Sequence, residues 1–515
     1  MRIAALDLGT NSFHLVVADV QRDGHLEPLV REKAMLRLGD AVSRRGYIPQ
    51  DAADVAVATV RRFRMLAEAA DATEIVACAT SALRRAENGD QVVERIEQDA
   101  GVRVEVISGL KEARLIFAAV RASVVLEPAP ALCFDVGGGS VEIMVGDASG
   151  LRWAASENLG VARLTADFVA SDPISKGDRR RLRAHHVEVL TPIADHVAAA
   201  SPQLVVGSSG TLEDLARMTV MRSRGETPTS LNQVSFSRAE FLPVHDAILE
   251  SAADKRLRMD GLETRRVDLI PAGAIFLETA MELFDFDAMT ISEWSLREGI
   301  VLDAARRHDP VEWSDDPRAI RRSSVDALLQ RWSSNGTHGE QVARLALSLF
   351  DQTTALHGMD SDERELLEHA ARLHDVGEHV SSVGHHRHGA YLIENGQLRG
   401  FTPEEVQLLA AMARWHRSGE PRRSDELPLV DEAKLVGLCA LLRIVDGLDR
   451  GRASVVEALD VKIGPALVVV RLRTTDDAEL ELWGARRKRA LFERCFGRDV
   501  EFVVLGERAA TPASG

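Results

Sequence analysis

One stretch of the chain occurs twice. Asp7-Leu-Gly-Thr-Asn-Ser-Phe-His-Leu-Val-Val returns as Asp135-Val-Gly-Gly-Gly-Ser-Val-Glu-Ile-Met-Val, 128 residues later. Asp7 aligns with Asp135, Gly9 with Gly137, Ser12 with Ser140 and Asp19 with Asp147. The separation is too long for a stacked solenoid repeat, so it predicts two similar lobes. In each copy an apolar strand (residues 3–6 and 131–134) ends in Asp. A glycine-rich turn follows, and a second apolar strand leaves it (residues 15–18 and 141–145). Glycine lets the backbone approach a ligand closely, and successive N–H groups in such a turn form a concave anion site. The Asp repels phosphate unless a cation lies between them. One such turn would be read as an ordinary hairpin; two facing each other make a cleft for phosphate and metal.

Strand-like and helix-like segments alternate up to about residue 305, an α/β pattern. EIVACAT (74–80) and VRVEVIS (102–108) read as strands, Ser108 is placed to cap the helix that follows, and residues 205–211 form another strand ending in a Gly/Ser turn. ARRHDPVEWSDDPRA (305–319) reads as a linker. A helical region without strands extends from there to about 450. Beyond 452 the pattern is mixed: ALVVVRLR and AELELWG read as paired strands and RRKRALFERCFG as a helix, while the closing RAATPASG reads as disordered. For 515 residues, a prior of about 150 per domain gives three or four domains. The expected divisions are lobe I at 1–125, lobe II at 126–305, a helical domain at 320–450 and a small α+β domain at 452–510.

The net charge of −16 argues against non-specific binding of nucleic acid. Local basic clusters, KGDRRRLRAHH (176–186) and RRKR (486–489), are either solvated helix faces or contacts for a polyanion. No apolar run is long enough to span a bilayer, and the N-terminus reads as a strand and not as a signal peptide. The four cysteines are scattered without a CxxC pair, which suits reduced thiols and a cytoplasmic location.

Two positions in the first 300 residues carry possible chemistry. Glu112, in ISGLKEARL, falls in the first turn of a helix, where a carboxylate interacts favourably with the helix dipole by about 0.3–1 kcal/mol. Beside a phosphate cleft the same group would serve as a general base. Arg84, in ATSALRRAENG, is either a surface arginine or a bidentate phosphate contact. In the helical region His338 shares a stripe with Val342, Leu345 and Leu349, and His416 lies four residues after Met412, so both turn inward. With His374-Asp375 and Asp446 they offer the imidazoles and carboxylates that suit Zn, Mn or Fe. His385 and His386 are further candidates. The competing reading is a core in which these groups hydrogen-bond one another.

Together, DLGTNSFHLVVADV, ATSALRRAENG, ISGLKEARLIF, FDVGGGSVEIMVG, GSSGTLEDLA, RRVDLIPAGAIFL and SLREGIVLD, in that order over residues 1–305, resemble the exopolyphosphatase and guanosine pentaphosphate phosphohydrolase family. The resemblance implies two actin-like, sugar-kinase-like lobes. It makes Glu112 the catalytic base and assigns Asp7, Asp135 and Glu142 to the environment of Mg²⁺ (or Mn²⁺). Gly9, Thr10, Asn11, Ser12, Arg84, Gly137, Gly138, Gly139, Ser140, Ser209, Gly210 and Thr211 become phosphate contacts. HDVG, HHRHGAYLI, RWHR and LLRIVDGLDR resemble the HD-type domain of the longer members, where His338, His374, Asp375, His416 and Asp446 would hold a transition metal. Two departures stand out: Lys111 occupies a position that is often Glu, and Val141 one that is often Thr. The implied activity is release of orthophosphate from the ends of inorganic polyphosphate, by a homodimer. Alternatives on the same fold are a guanosine pentaphosphate 5′-phosphatase, an ATP-dependent kinase and a decayed polyphosphate or alarmone sensor.

Overall fold

The computed structural model describes residues 1–20, 26–126, 129–225, 228–308, 318–332, 336–423 and 428–505. Most of the expected linker (309–317) and the expected disordered tail lie outside the described residues. The chain divides into two compact units, Met1–Ile320 and Arg321–Gly515.

The first unit contains two sheets. One is built from β1 (Arg2–Leu8), β2 (Ser12–Val20), β3 (Leu26–Met35), β4 (Glu74–Ala79) and β5 (Val104–Val106), in the order β3-β2-β1-β4-β5. The other comprises β6 (Ala131–Val136), β7 (Val141–Asp147), β8 (Gly150–Glu157), β9 (Leu204–Ser208), β10 (Ser235–Ser237) and β11 (Ala288–Ile291), in the order β10-β11-β9-β6-β7-β8. In both, an antiparallel meander leads into parallel strands, so β8-β7-β6-β9-β11 repeats the topology of β3-β2-β1-β4-β5. The duplicated motif is the β1–β2 turn and its counterpart between β6 and β7. Register follows: Asp7 lies opposite His14, and Asp135 opposite Glu142. The aligned Asp19 and Asp147 have diverged: Asp19 pairs with Arg2 at 2.9 Å, whereas Asp147 accepts from the Ser149 N–H at 2.8 Å and closes its own hairpin.

Every residue of β6 and β7 is buried, as expected where both faces of a sheet are covered. Ile3, Ala5 and Val16 of the first sheet join Cys133, Met144 and Val206 of the second in one core. Helices Gly109–Arg121 and Leu296–His308 add Leu115, Ile116, Ile300 and Val301 to it. The two helices cross at Gly299, where a Cβ would stand 2.1 Å from the Leu115 carbonyl oxygen.

The second unit is helical from Ala319–Trp332 to Glu432–Gly447 and ends in a three-stranded sheet: β12 (Val456–Ile463), β13 (Leu467–Thr474) and β14 (Asp499–Val504). AELELWG is not a strand. It opens the helix Glu479–Lys488, which buries Glu481, Gly484 and Ala485 at helical spacing. The alternation of Leu with Glu imitated a strand period, while β13 takes its second partner from residues 499–504. The basic cluster at 176–186 is engaged within its own lobe. Arg179 donates to the Ile174 carbonyl, and Arg181 and Arg183 pair with Asp178 and Glu282. All four cysteines are free thiols, and no described helix is long and apolar enough to cross a membrane.

His186 is fully buried against the Phe276 ring, and neither ring nitrogen has a hydrogen-bond partner. Burial, with His185 nearby, pulls its pKa down to about 3. The unfolded chain takes up this proton near pH 6.5, whereas the folded state resists it. Stability should therefore fall by about 1.4 kcal/mol per pH unit between roughly 6.5 and 3. His186→Leu is expected to remove about 2 kcal/mol of the stability difference between pH 7 and pH 5. Urea midpoints at the two pH values measure it; an unchanged difference would show that the ring is protonated in the fold.

Candidate active site

Both glycine turns open onto one cavity of about 430 Å³. Residues 9–12 line it from the first lobe and residues 137–140 from the second. The turns touch: a Cβ at Gly139 would lie 2.5 Å from Thr10 Oγ1 and 2.6 Å from Ser81 Oγ, so only a bare backbone fits there. Ser209 forms the third wall at the strand-to-helix turn between β9 and helix Gly210–Arg224. Its φ of 81° is unusual for a residue with a side chain. The helix N-terminus at Gly210 and Thr211 lines the same cavity, and helix N-termini favour anions.

Four carboxylates gather here. Asp7, Glu112 and Asp135 line the cavity. Glu142 lies beside them on β7 and accepts from Ser156 Oγ at 2.8 Å. Asp135 Oδ2 accepts from Ser208 and Ser295 hydroxyls, each at 2.6 Å. Asp7 Oδ1 is buried without a hydrogen-bond partner. Burial pushes the Asp7 and Glu112 carboxyls up to about 7 each, and raises Asp135 and, further, Glu142. A group of buried acids with an oxygen left unsatisfied suits a cation.

Glu112 stands in the first turn of helix Gly109–Arg121, whose cap Ser108 accepts from the Lys111 N–H at 3.2 Å. Arg84 Nη1 donates to Glu112 Oε2 at 3.2 Å and to the Ile107 carbonyl at 2.6 Å. Arg84 thus stands behind Glu112 and does not line the cavity, as is true of Glu142. The other expected phosphate contacts all line it.

The sequence reading did not single out Arg297. It is half-buried beside Glu298, Glu213, Asp7 and Asp135, which strengthen its positive charge. Elsewhere in the lining, Lys33 bonds Glu263 at 3.0 Å, and Arg266 bonds both Glu263 and Asp214 at 2.9 Å. Ser295 and Arg297 sit in SLREGIVLD just after β11, the strand corresponding to β5 of the first sheet. The adjacent charges of Arg297 and Glu298 after a strand were the available signal.

A family model described as "Ppx/GppA phosphatase family" matches residues 16–308. The chain belongs to the Ppx/GppA phosphatase family. A second model, "Ppx/GppA phosphatase, domain III", matches residues 320–477. Exopolyphosphatase 1 of Mycobacterium leprae is 34% identical over 347 residues, 67% of this chain and 97% of that relative. Exopolyphosphatase 1 of Mycobacterium tuberculosis is also 34% identical, over 59% of this chain and 88% of its own length. The crystal structure of an exopolyphosphatase from Cytophaga hutchinsonii superposes with a TM-score of 0.55 at 32% identity, covering 59% of this chain and 98% of that one. The Aquifex aeolicus Ppx/GppA family member gives a TM-score of 0.53 at 26% identity, over 60% of this chain and 99% of that one.

In the domain III region of this Ppx/GppA protein, the expected His and Asp residues converge. His338 and His374 Nε2 lie 3.8 and 3.9 Å from Asp446 Oδ1. His385 and His416 Nε2 lie 3.3 and 3.5 Å from Asp375 Oδ1. His386, the other candidate, is not among the groups whose ligand atoms cluster there.

Proposed function

We propose that this phosphatase is an exopolyphosphatase, releasing orthophosphate one unit at a time from the end of inorganic polyphosphate. The carrying observation is the lining of the cavity. Backbone N–H groups of two glycine turns and the cations Lys33, Arg217, Arg266 and Arg297 suit a string of phosphates. Among the described residues, no Phe, Tyr or Trp lines it to stack on a purine. That favours polyphosphate over guanosine pentaphosphate, because base recognition calls for apolar or aromatic walls.

Asp7, Asp135 and Glu142 are the residues fitted to hold Mg²⁺ or Mn²⁺, whose charge would offset that of the terminal phosphates. Ser208 and Ser295 fix the orientation of Asp135. The glycine turns and the helix N-terminus at Gly210 position the terminal phosphoryl group. Glu112, oriented by Arg84, takes a proton from the attacking water as its oxygen bonds to phosphorus and the bridging oxygen leaves on the shortened chain. We read the second unit as HD-type on the adjacent His374-Asp375 and the later Asp446. The test is phosphate release from long-chain polyphosphate and from guanosine pentaphosphate in parallel, with and without magnesium. No release from polyphosphate, or preference for the nucleotide, would overturn the assignment.

Asp135→Asn keeps an acceptor for both serine hydroxyls and removes the charge. It is expected to weaken the apparent magnesium affinity by about 10–100-fold or more and to suppress turnover, with the fold retained by circular dichroism. Near-normal rates at limiting magnesium would remove Asp135 from the metal site.

A further inference from the structure

We propose that His14 is a positioning residue of the active site: it donates to Ser12 and so leaves the Ser12 hydroxyl hydrogen for the terminal phosphoryl group, while the aligned Ser140 spends its own on Glu142. The inference rests on reading the cavity as the place where a phosphoanhydride is cleaved.

Strand alternation brings the pair together. Side chains two residues apart on a strand share a face. Ser12 and His14 accordingly both line the cavity, while Phe13 between them is fully buried in the core of the first lobe. Ser12 Oγ and His14 Nε2 are 2.6 Å apart. Either atom can be the donor across such a contact, because a neutral imidazole has one N–H and one lone pair. The other ring nitrogen decides. His14 Nδ1 faces Arg297 Nη1 at 3.5 Å. A guanidinium only donates, so a hydrogen on Nδ1 would point at those of Arg297. Nδ1 is therefore bare, and the single ring hydrogen sits on Nε2. A doubly protonated ring is opposed as well. Enclosure in the cavity wall, with the charges of Arg297, Lys33 and Arg266, holds the pKa of His14 well below the usual imidazole range.

The direction of the Ser12 hydroxyl follows. Its oxygen accepts from His14, and its own hydrogen is left for another acceptor. Ser12 closes the glycine turn whose N–H groups suit a phosphate, so that acceptor is a phosphoryl oxygen. Arg297, His14 and Ser12 form a chain of donors pointing one way, and bonds in such a chain polarise one another.

The duplicated motif supplies an internal comparison. Ser140 and Glu142 occupy the positions of Ser12 and His14. Glu142 lies opposite Asp135 as His14 lies opposite Asp7, and Val141 is fully buried as Phe13 is. Glu142 takes a hydrogen bond from Ser140, and an ionised carboxylate only accepts. Ser140 is thereby left with lone pairs toward the cavity, on the side where Asp135 and Glu142 suit a cation. One serine serves the anion and its counterpart the cation, and the exchange of His for Glu at one position sets which.

The experiment combines spectra and kinetics on the full chain. Imidazole nitrogen NMR, with the His14 signal identified by its loss in His14→Gln, should show the Nε2–H tautomer at neutral pH. An Nδ1–H tautomer or an imidazolium would overturn the proposal whatever the substrate. His14→Leu should lower kcat by about 10–100-fold, the loss of a hydrogen bond to a charged group. KM should change little, because the rest of the chain still meets Lys33 and Arg266. His14→Gln, whose amide can donate to Ser12 and accept from Arg297, should recover most of the rate. Ser12→Ala should cost about as much as His14→Leu, and the double variant no more than Ser12→Ala alone. Losses that multiply, or a His14→Gln as slow as Ser12→Ala, would overturn the proposal; the second comparison decides even if His14→Leu fails to fold. The same variants are assayed on guanosine pentaphosphate. A wild type that cleaves the nucleotide and not polyphosphate would sink the exopolyphosphatase reading alone, and His14 is then judged on the nucleotide.

Discussion

Glu112→Gln is expected to lower the turnover of polyphosphate by about 10²–10⁴-fold, the range for loss of a positioned general base, while leaving substrate binding intact. The amide has the shape of the carboxylate and can still accept from Arg84 at the site of the 3.2 Å bond. Its neutrality removes a negative charge beside a polyanion, so affinity has no reason to fall. Burial, opposed by Arg84, sets the Glu112 carboxyl at about 7. The base works deprotonated, so the wild-type rate should rise with pH through that region before metal is saturating, and this limb should be missing in the variant. Single-turnover phosphate release measured across pH 5.5–8.5 tests both points. Full activity of Glu112→Gln would place the base elsewhere.

The second large effect is expected at Arg297. Arg297→Met keeps the length of the side chain and deletes the charge that opposes Asp7, Asp135 and Glu213. Removing one partner of a fully buried charge group costs about 3–5 kcal/mol, and the half-buried Arg297 should cost less, about 1–3 kcal/mol. Asp7 and Glu213 already sit near 7 because burial raises them, with Arg297 pulling the other way. Without it they rise further. A carboxyl whose folded pKa exceeds the unfolded value contributes its stability below the unfolded pKa and loses it as pH climbs through the folded one. The deficit of Arg297→Met should therefore be largest above pH 7 and shrink toward pH 5. Added magnesium should partly restore the midpoint. A pH-independent deficit would mean that the arginine contributes mainly by packing.

The cleft was legible because it is local. Asp7 to Ser12 and Asp135 to Ser140 are contiguous, and strand–turn–strand segments state their own pairing. Glu112 and the Ser108 cap were legible for the same reason: capping is decided within a turn. What escaped depended on topology. Ser208, Ser295 and Arg297 reach the carboxylates only because β9 lies alongside β6 and β11 alongside β9, an order that no neighbouring residues announce. Lys33 and Arg266 meet at Glu263 across more than 200 positions of sequence. Arg84 was legible as a residue of interest, but its place behind Glu112 was set by the bond to the Ile107 carbonyl. The misread AELELWG shows the reverse error, a local alternation overruled by the demand of Gly484 and Ala485 for close packing.

The core shared between the two sheets bears on how a substrate can enter. Helix Gly109–Arg121, which carries Glu112, is pressed against β8 and against helix Leu296–His308, which carries Arg297. Base and arginine are thus carried by helices packed directly on one another. Swinging the sheets apart would expose the apolar layer formed by Val16, Met144 and Val206, at about 25 cal/mol for each Å² uncovered. The chamber is in that sense cast, not clasped shut around its guest. A polymer end is therefore expected to enter through the existing opening, whose lining includes Lys33 and Arg266, without the sheets parting.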